Sequence, residues 1–571
     1  MINFFKRTYN ILNKYEKLLS IYVFFLILIS LFIELIGIGM IIPIIGILVN
    51  YETLIENKYI NYIYFLLNQP SKESAILYSM SFLSFVYFIK VIFFIHLTER
   101  QAEFVKLVNR NMSKKLLNYY LYQPFLFFTE KHSAELIRNT IGEVDLFALA
   151  LRDLITFILE VVIISGLLLF MFFYKPIAAL FFIVALIFLG IVFNFFSKKK
   201  LQNFGEKRIE FDRFRLQNLQ NLISGIRDVK IYQKENFFKE AFLENNKYLL
   251  SVRKTMNIIT AVPKFLIEFV SIIVLTLIVI VLVFNGTPSD DIIITLGIFA
   301  AIGLRILPSL NRIYINAQSL SFSFPMFDNL YNEFYNRSNS NNNDTLETPK
   351  VFKKIIIKDL LFSYPGTSRE VLKDLNIEIV NGQCIGIFGE SGSGKSTLVD
   401  IITGLININK DQIFINDIDL SKISNSWKKN IGYVSQNLFL IDDTIEKNIA
   451  FGEENIDKDR LERAISGASL SNFVSSLDNQ EKTHVGELGK KLSGGQRQRI
   501  GIARALYKDP QIIVFDEATS ALDSLTENNI MKTIYGFKQT KTVLIISHKL
   551  NLLNECDKIY EISNSNTIQH K

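Results

Sequence analysis

The order of apolar and polar positions divides the chain into a strongly apolar first part and a mixed second part. Six runs in the first part are long enough to cross a bilayer, whose hydrocarbon core needs about 20 apolar residues per helix. The first run is too long for a cleavable signal peptide, so we expect it to be retained as a helix. No run after Lys350 is long enough to span a membrane. The six predicted spans are residues 20–49, 74–97, 149–173, 176–197, 256–285 and 291–318.

The connections between these spans differ greatly in length. Spans 3 and 4 are separated by Tyr174–Lys175 and spans 5 and 6 by Asn285–Asp290, whereas residues 98–148 and 198–255 form two long connections with helical periodicity and many charges. With the N-terminus inside, both long connections fall on the cytoplasmic side, as the positive-inside rule expects. Such charge runs are typical of solvated helix faces. Because the two connections occupy matched positions, they favour helices that extend toward a cytosolic domain.

Four segments follow from this pattern. Residues 1–19 mix aromatic and basic positions and predict an amphipathic elbow helix on the cytoplasmic surface. Residues 20–335 predict a transmembrane domain with six helices and two long cytoplasmic loops, and the Asn-rich residues 336–350 predict a linker. Residues 351–571 alternate short apolar runs with amphipathic segments, which predicts an α/β domain with a largely parallel central sheet.

Composition agrees with a membrane protein and argues against a nucleic-acid-binding one. Hydrophobic residues make up 49% of the chain and charged residues only 20%. The net charge of +7 comes partly from clusters such as Lys198–Lys200, which flank an apolar run and are typical of a cytoplasmic anchor. The two cysteines, Cys384 and Cys556, predict unrelated thiols in a reducing cytosol, with neither a metal cluster nor a disulfide framework.

The segment Gly389–Ser396, GESGSGKS, has the spacing of a P-loop and follows the apolar strand Ile385–Phe388. Glycines let successive backbone N–H groups curl around phosphate oxygens, and the following helix presents its positive N-terminus. In this arrangement Lys395 reaches the β- and γ-phosphates and the Ser396 hydroxyl binds Mg²⁺. A chance Gly/Ser turn is disfavoured, because a strand precedes the segment and an apolar helix follows it.

A second apolar strand, Ile512–Phe515, runs directly into Asp516 and Glu517. An aspartate at the end of a buried strand can hold Mg²⁺, and the adjacent glutamate can deprotonate the attacking water. An isolated Asp-Glu pair is more often a charge pair at a helix N-terminus. Here the pair follows the segment LSGGQ, Leu492–Gln496, and precedes SALD, Ser520–Asp523.

These motifs resemble those of the ABC ATPase family. The resemblance implies that Tyr364, in LFSYPG, stacks on adenine and that Gln436, in YVSQ, senses Mg²⁺ and contacts the membrane domain. It further implies that the signature segment acts on the nucleotide of the opposite protomer and that His548 binds the γ-phosphate. The nucleotide-binding residues predicted in this way are Tyr364, Gly389, Ser391, Gly392, Gly394, Lys395, Ser396, Thr397, Gln436, Ser493, Gly494, Gly495, Gln496, Asp516 and Asp523, with Lys395, Glu517 and His548 as catalytic residues and Ser396, Gln436 and Asp516 as Mg²⁺ ligands.

The resemblance covers essentially the whole chain, and Val485–Glu487 resembles the X-loop of exporters. It implies an ABC exporter half: a six-span α-helical transmembrane domain followed by an α/β P-loop ATPase domain that hydrolyses ATP, with Mg²⁺, to drive transport. One half with a complete motif set implies a homodimer with two composite sites, and a heterodimer with a similar partner stays open. The expected location is a bacterial inner membrane, with the ATPase domain cytoplasmic and no nucleic-acid partner.

Three cations inside the predicted spans are candidate substrate ligands, because charges in a membrane are costly and functional by default. Lys90, Lys264 and Arg305 fall at similar depth in the cytoplasmic half and suit an anionic headgroup such as a pyrophosphate. Arg305 is the deepest of the three. The alternative is internal pairing with acidic residues of the same domain, for which the candidates are Glu34, Glu160 and Glu268.

Three stretches resemble the PglK-type lipid-linked oligosaccharide flippases: Ile33–Ile45, Gly225–Phe238 and Arg305–Ile313. An apolar stretch, Tyr59–Leu67, is also similar to a short external helix of that group. The resemblance implies that a polyprenyl-pyrophosphate glycan moves from the inner to the outer leaflet. An exporter of drugs, peptides or other lipids is the alternative. A regulatory ATPase or gated channel on the same scaffold is disfavoured, because Glu517 and His548 are intact.

Overall fold

The computed structural model describes residues 8–49, 65, 70–174, 176–335, 349, 351–408, 410–519, 524–563 and 566–570. The chain forms two compact units. The first comprises Met1–Gln123 and Glu130–Asn339, and the second comprises Pro124–Thr129 and Ser340–Lys571. Several predicted features lie wholly or mainly outside the described residues: the start of the elbow segment, the external stretch Tyr59–Leu67, the linker 336–350 and Asp523.

The first unit is built from long helices, as the apolar runs predict. Five helices are long and apolar enough to cross a membrane, and a sixth, shorter apolar stretch is Ala179–Val192; only the described residues enter this count. The helices in this part of the chain are α1 Lys14–Gly39, α2 Ile41–Val49, α3 Lys72–Leu121, α4 Phe125–Glu130, α5 Ser133–Ile137, α6 Val144–Tyr174, α7 Pro176–Ser224, α8 Ile226–Ile231, α9 Glu235–Phe284 and α10 Ser289–Tyr335, with a π-helical turn at Arg138–Glu143 between α5 and α6. Of these, α4 belongs almost entirely to the second unit.

The two long connections are continuations of the spans and not loops. Helices α3 and α9 each run for 50 residues and α7 for 49 residues. At 1.5 Å per residue each is roughly 75 Å long, well over twice the hydrocarbon thickness of a bilayer. The predicted helical periodicity of residues 98–148 and 198–255 is therefore confirmed. The predicted first span is divided between α1 and α2, with a break at Met40.

A close approach of α7 and α10 fixes part of the helix packing. Gly205 of α7 faces the chain around Pro325 of α10, and a Cβ at Gly205 would lie 2.3 Å from the Phe322 carbonyl oxygen. Only glycine allows that separation, since real Cβ atoms do not approach a backbone oxygen so closely. A stacked pair of aromatic rings, Phe147 on α6 and Phe327 on α10, adds a second contact in the same unit, with ring centroids 5.9 Å apart.

The second unit contains two β-sheets. The larger has six strands in the order β10-β9-β3-β8-β7-β6, parallel except for β10, and the smaller is antiparallel in the order β2-β1-β4-β5. This confirms the predicted largely parallel central sheet. The strands are β1 Lys354–Ser363, β2 Glu370–Val380, β3 Cys384–Gly389, β4 Ile413–Ile415, β5 Ile418–Asp419, β6 Ile431–Val434, β7 Ile512–Asp516, β8 Thr542–Ile546, β9 Lys558–Ser563 and β10 Asn566–Gln569.

The six-stranded sheet is buried on both faces, on one by helices and on the other by α11 (Lys395–Ile402) and strands of the small sheet, which explains why its strands are unbroken apolar runs. Along β7, Ile512 and Val514 pack into one core while Ile513 and Phe515 pack into the other. The short segment Pro124–Thr129 also belongs to this unit, and Leu126 packs against the first of these cores. The helices of this unit are α11 Lys395–Ile402, α12 Ser424–Trp427, α13 Ile445–Ala450, α14 Lys458–Gly467, α15 Ser471–Ser475, α16 Gly494–Tyr507 and α17 Ser524–Tyr535.

One expectation about the cysteines is wrong. Cys384 on β3 and Cys556 just before β9 are not unrelated, because both are buried in one core with their Sγ atoms 3.4 Å apart. Residues 172 positions apart in the sequence meet because β3 and β9 are neighbours in the sheet. Both thiols are free.

The Gly205 contact predicts a position where one methyl group disrupts the membrane domain. Gly205→Ala should lower the thermal stability of the detergent-solubilised protein, since overpacking costs about 1–3 kcal/mol. The matched control is Gly303→Ala on α10, where a Cβ meets no atom within 4 Å. The measurement is the temperature at which the folded peak disappears on size exclusion, and equal melting of the two variants would contradict the packing.

Candidate nucleotide site and membrane cavity

The P-loop lies between β3 and α11, where the sequence predicts it. The turn into α11 requires a left-handed backbone at Gly394, whose φ is +101°. A Cβ there would also lie 2.6 Å from a methyl carbon of Leu372. Gly394 is therefore required both for its backbone conformation and for its close packing.

The P-loop lysine is largely buried and folds back on its own loop. Its Nζ donates to the carbonyl oxygens of Gly389 and Glu390, at 3.0 and 2.8 Å. Burial lowers the pKa of Lys395. An ammonium that is desolvated and held only by backbone carbonyls is suited to the oxygens of a polyphosphate, which carry full negative charge.

Asp516 ends the buried strand β7, and its carboxylate accepts a hydrogen bond of 3.0 Å from the hydroxyl of Tyr433 on β6. Burial raises the pKa of Asp516. The sequence analysis did not identify Tyr433 as part of the site. Its position three residues before Gln436 was the available signal, because β6 and β7 are neighbouring parallel strands.

Glu517 is held by two of the other predicted site residues. Its Oε2 accepts from the side-chain amide of Gln436 at 2.6 Å, and its Oε1 lies 2.5 Å from Nε2 of His548. The other ring nitrogen, Nδ1, is 3.1 Å from the Gly389 carbonyl oxygen. Both ring nitrogens thus face oxygen atoms of the site. Glu517 itself has a left-handed backbone, with φ +48°, which turns its side chain away from the strand.

The structure therefore brings together the predicted residues of the catalytic site. Lys395, Glu517 and His548 converge on the Gly389 carbonyl region, with Gln436 bound to Glu517. Tyr364 lies beside the start of α11, where its hydroxyl is 3.0 Å from that of Thr397. Ser493 and Gln496 form a reciprocal capping box at the start of α16, which places Gly494 and Gly495 in the first turn of that helix.

The residues present fit a bound nucleotide. The hydroxyl of Ser393, in the middle of the P-loop, is buried and has no hydrogen-bond partner among the described residues. A buried hydroxyl without a partner is costly, and a phosphate oxygen is the acceptor that the loop is shaped to receive. Ser396 is exposed at the first turn of α11, so its hydroxyl is available to a cation.

A second candidate site lies within the membrane unit. It is a cavity of about 460 Å³ that contains four basic and two acidic side chains. It brings together two of the three predicted substrate ligands, Lys90 and Arg305. Lys264 on α9 is exposed and is not among the residues that line this cavity. The lining comprises Glu34, Lys90, Phe94, Thr98, Gln101, Ala102, Arg152, Thr156, Leu159, Glu160, Arg305 and Arg312.

The acidic residues of this cavity are internally paired, as the alternative interpretation of the sequence expected. Glu34 has no exposed surface, and its Oε1 lies 3.0 Å from Nζ of Lys90 and 2.6 Å from Nε of Arg305. Glu160 lies 2.7 Å from Nε of Arg312 and 3.9 Å from the Arg305 guanidinium. Arg312 was not among the predicted substrate ligands, although it lies seven residues after Arg305 on the same face of one helix.

A P-loop ATPase domain on the same chain as a helical membrane domain defines an ATP-driven transport protein, and the chain is an integral membrane protein. It belongs to the ABC transporter family. Residues 17–306 match the family described as ABC transporter transmembrane region, and residues 372–520 match the family described as ABC transporter.

Relatives and solved structures agree with this assignment. An ATP-dependent lipid A-core flippase of Wigglesworthia glossinidia brevipalpis is 30% identical over 481 residues, which are 81% of this chain and 79% of that protein. The leukotoxin export ATP-binding protein LtxB of Aggregatibacter actinomycetemcomitans is 37% identical over 235 residues, 41% of this chain and 33% of its own. The fold matches a bacterial Atm1-family ABC exporter with ATP bound, with a TM-score of 0.76, 18% identity, and 94% and 93% of the two chains covered. The chain is therefore an exporter-type ATPase that couples ATP hydrolysis to transport.

The carboxyl of Asp400 on α11 gives a test of the electrostatics behind the P-loop. Burial and the charge of Asp516 raise the pKa of Asp400 from 3.8 to about 6. The neutral carboxyl is buried at less cost than the carboxylate. The protein is therefore most stable with Asp400 protonated, and this stability is lost as pH rises through about 6. Asp400→Asn cannot ionise, so at about pH 7.5 it should unfold roughly 2–4 °C above the wild type, and the gain should vanish near pH 4.

Fluorescence provides the measurement, since Trp427 is the only tryptophan of the chain and is buried in the ATPase unit, where it donates to the Ile402 carbonyl of α11. The matched control is Asp478→Asn, at an exposed position of the same unit. A gain that does not depend on pH would contradict the raised pKa.

Proposed function

We propose that the chain works as a homodimer that flips an anionic lipid-linked oligosaccharide, such as a polyprenyl-pyrophosphate glycan, from the inner to the outer leaflet of a bacterial inner membrane. The single observation that carries the substrate class is the surplus of positive charge in the membrane cavity. The alternative is an exporter of drugs, peptides or other lipids.

The ATPase site supports a complete hydrolytic cycle. Lys395 and the P-loop N–H groups would bind the phosphates, and Ser396, Gln436 and Asp516 would hold Mg²⁺, which would neutralise charge on the phosphate oxygens. Glu517 accepts a proton from the attacking water, and His548 donates to the γ-phosphate. Because Gln436 and His548 both bind Glu517 in this structure, each must exchange that contact for the nucleotide before Glu517 can act as a base.

A complete motif set on one half supports the homodimer. Ser493 and the glycines Gly494 and Gly495 would complete the nucleotide site of the second copy, and the family resemblance also implies a nucleotide-binding role for Asp523. The Ser493 hydroxyl caps α16 by accepting from the backbone N–H of Gln496 at 3.2 Å, which points the first N–H groups of that helix outward for a phosphate. With both long connections and the ATPase domain on the cytoplasmic side, each site draws on cytosolic ATP.

The charges of the cavity differ in how free they are to bind a substrate. Lys90 and Arg305 are mostly buried, with 18% and 20% of their side-chain surface exposed, and both neutralise Glu34. Arg312 is 46% exposed, and Arg152, which pairs with Asp153 at 3.1 Å, is more exposed still. We therefore assign Lys90 and Arg305 to holding the cavity open and positive, and Arg312 and Arg152 to the first contact with the anionic group. Lys264 remains a sequence prediction for this role.

The chemistry of the cavity favours a headgroup with more than one negative charge. Four basic side chains line the cavity with Glu34 and Glu160, and Asp153 pairs with Arg152 at 3.1 Å, so one positive charge is in excess. A pyrophosphate carries enough charge to balance this excess while accepting bidentate hydrogen bonds from arginine. The apolar lining from Phe94 and Leu159 suits the start of a lipid tail. Several relatives, including that of Wigglesworthia, are named lipid flippases, which supports a lipid over a peptide. The leukotoxin exporter, similar over less than half of this chain, supports the alternative.

The test is ATP hydrolysis by the purified chain in liposomes, with and without a polyprenyl-pyrophosphate oligosaccharide. The glycolipid should stimulate the wild type, and Arg312→Gln should raise the half-maximal glycolipid concentration about tenfold, since one charge-assisted contact is lost. Arg305→Ala should abolish stimulation while basal hydrolysis persists. Arg305→Lys, which keeps the charge beside Glu34, separates loss of charge from loss of packing.

Two further variants serve as controls. Lys106→Gln removes an exposed cation from the same helix as Lys90 and should leave stimulation unchanged. Glu517→Gln should bind ATP and lose turnover in every condition. Basal hydrolysis that is indifferent to the glycolipid, in a preparation in which Glu517→Gln is inactive, would refute the substrate and leave the ATPase assignment intact.

A further inference from the structure

The two cysteines of the chain form a close pair in the core of the ATPase unit. Their Sγ atoms are 3.4 Å apart, and both side chains are almost fully buried. Backbone bonds already fix the two segments against each other: Asp557 N–H donates to the Cys384 carbonyl, and the Asp557 carboxylate accepts from Cys384 N–H, each at 2.8 Å. The two cysteine segments are therefore already held together in the folded protein, so a disulfide between them needs no further ordering of the chain.

We propose that Cys384 and Cys556 are a modification site, at which a hydroperoxide converts the two thiols into a reversible intramolecular disulfide that restrains the P-loop strand. Nothing in the transport cycle described above uses these thiols. The proposal does not depend on the transported substrate. The reaction requires a nucleophilic sulfur and a second sulfur within bonding reach. Its effect on ATP hydrolysis requires a structural connection between the disulfide and the nucleotide site.

The two sulfurs are chemically unequal. The contact between the two sulfurs lowers the pKa of the Cys556 thiol, while the hydroxyl of the neighbouring Tyr535 donates to the Leu552 carbonyl oxygen. The hydrogen bond to Cys556 and burial raise the pKa of Cys384. Cys384 lies on β3, an interior strand of the six-stranded sheet, so we assign Cys384 as the resolving thiol and Cys556 as the nucleophile, which reacts as the thiolate. Cys556 also follows the exposed residues Asn554 and Glu555, which places it one residue below the surface.

The proposed reaction balances without a cofactor. The Cys556 thiolate attacks one oxygen of the hydroperoxide, the O–O bond breaks, and an alcohol or water leaves with a proton, which gives a sulfenic acid. The Cys384 sulfur then attacks the Cys556 sulfur, the S–O bond breaks, and water leaves with the Cys384 proton. Two electrons pass from the sulfurs to the peroxide. A dithiol reductant reverses the change by thiol–disulfide exchange.

The path to the nucleotide site is β3 itself. An S–S bond of about 2.0 Å requires the two sulfurs to approach by about 1.4 Å. β3 runs from Cys384 to Gly389, whose carbonyl accepts from Lys395 and faces His548. The strand is tightly packed, since a Cβ at Gly386 would lie 3.1 Å from Leu553. A displacement of Cys384 should therefore shift the rest of β3 as well, because a closely packed core leaves little free space for the strand to deform.

The experiment uses the full chain in liposomes, treated with hydrogen peroxide, then denatured and alkylated. The wild type should lose both alkylatable thiols, have an intact mass about 2 Da lower, and hydrolyse ATP about three- to tenfold more slowly. Dithiothreitol should restore thiols and activity together. Cys384→Ala and Cys556→Ala should resist this reversible loss, since neither can form the bond.

Each contrary result overturns the proposal. Thiols that stay alkylatable, at peroxide levels that oxidise a surface cysteine introduced by Ser476→Cys, would show that the pair does not react. Equal, reversible loss of activity in the single-cysteine variants would place the effect elsewhere. A disulfide that leaves ATP turnover unchanged would refute transmission along β3. If an alanine variant fails to fold, the reversal by dithiothreitol in the wild type still decides the question.

Discussion

The carboxylate of Glu34 has no contact with solvent although it lies on the apolar helix α1, so its charge has to be balanced inside the membrane domain. Lys90 on α3 and Arg305 on α10 supply that balance, which ties three helices together at one point. Breaking a buried ion pair by removing one partner is strongly destabilising, because the remaining charge is left uncompensated. The arrangement of the cavity therefore depends on Glu34 as much as on the cations.

A second acidic residue extends this network toward the open part of the cavity. Glu160 lies beside both Arg305 and Arg312, so the positive charges form a graded series from the buried Lys90 to the exposed Arg312. Internal pairing and anion binding are consequently not exclusive interpretations. The carboxylates stabilise the cluster of cations, and the cations outnumber the carboxylates. Once the Asp153 carboxylate beside Arg152 is counted, one positive charge is in excess, and a charge inside a membrane domain is costly without a partner.

In the ATPase unit, too, polar and charged side chains of the site bind one another. Gln436 and His548 hold Glu517, while Lys395 is held by its own loop. Each of these contacts satisfies a charged or polar group that a nucleotide would otherwise satisfy. Binding of the nucleotide therefore replaces contacts and does not simply add them, which couples the P-loop, β6, β7 and β8 in one rearrangement.

Most of the fold was predictable, because apolar runs, the P-loop and LSGGQ are local patterns with direct physical meaning. The helical extensions and the parallel sheet followed from periodicity for the same reason. Contacts between distant segments were not predictable. The meeting of Cys384 with Cys556, the bond from Tyr433 to Asp516 and the pairing of Arg312 with Glu160 each depend on which elements become neighbours. The sequence pattern does not specify which distant elements become neighbours, although the position of Tyr433 close to Gln436 gave a partial signal.

The most direct test of the central claim is movement of the substrate itself. A polyprenyl-pyrophosphate oligosaccharide is placed in the outer leaflet of liposomes whose ATPase domains face outward, and the fraction protected from an added glycosidase is measured with time. ATP should increase the protected fraction with the wild type and not with Glu517→Gln. No ATP-dependent protection, in liposomes whose wild-type protein hydrolyses ATP, would contradict the account and favour a different exported substrate.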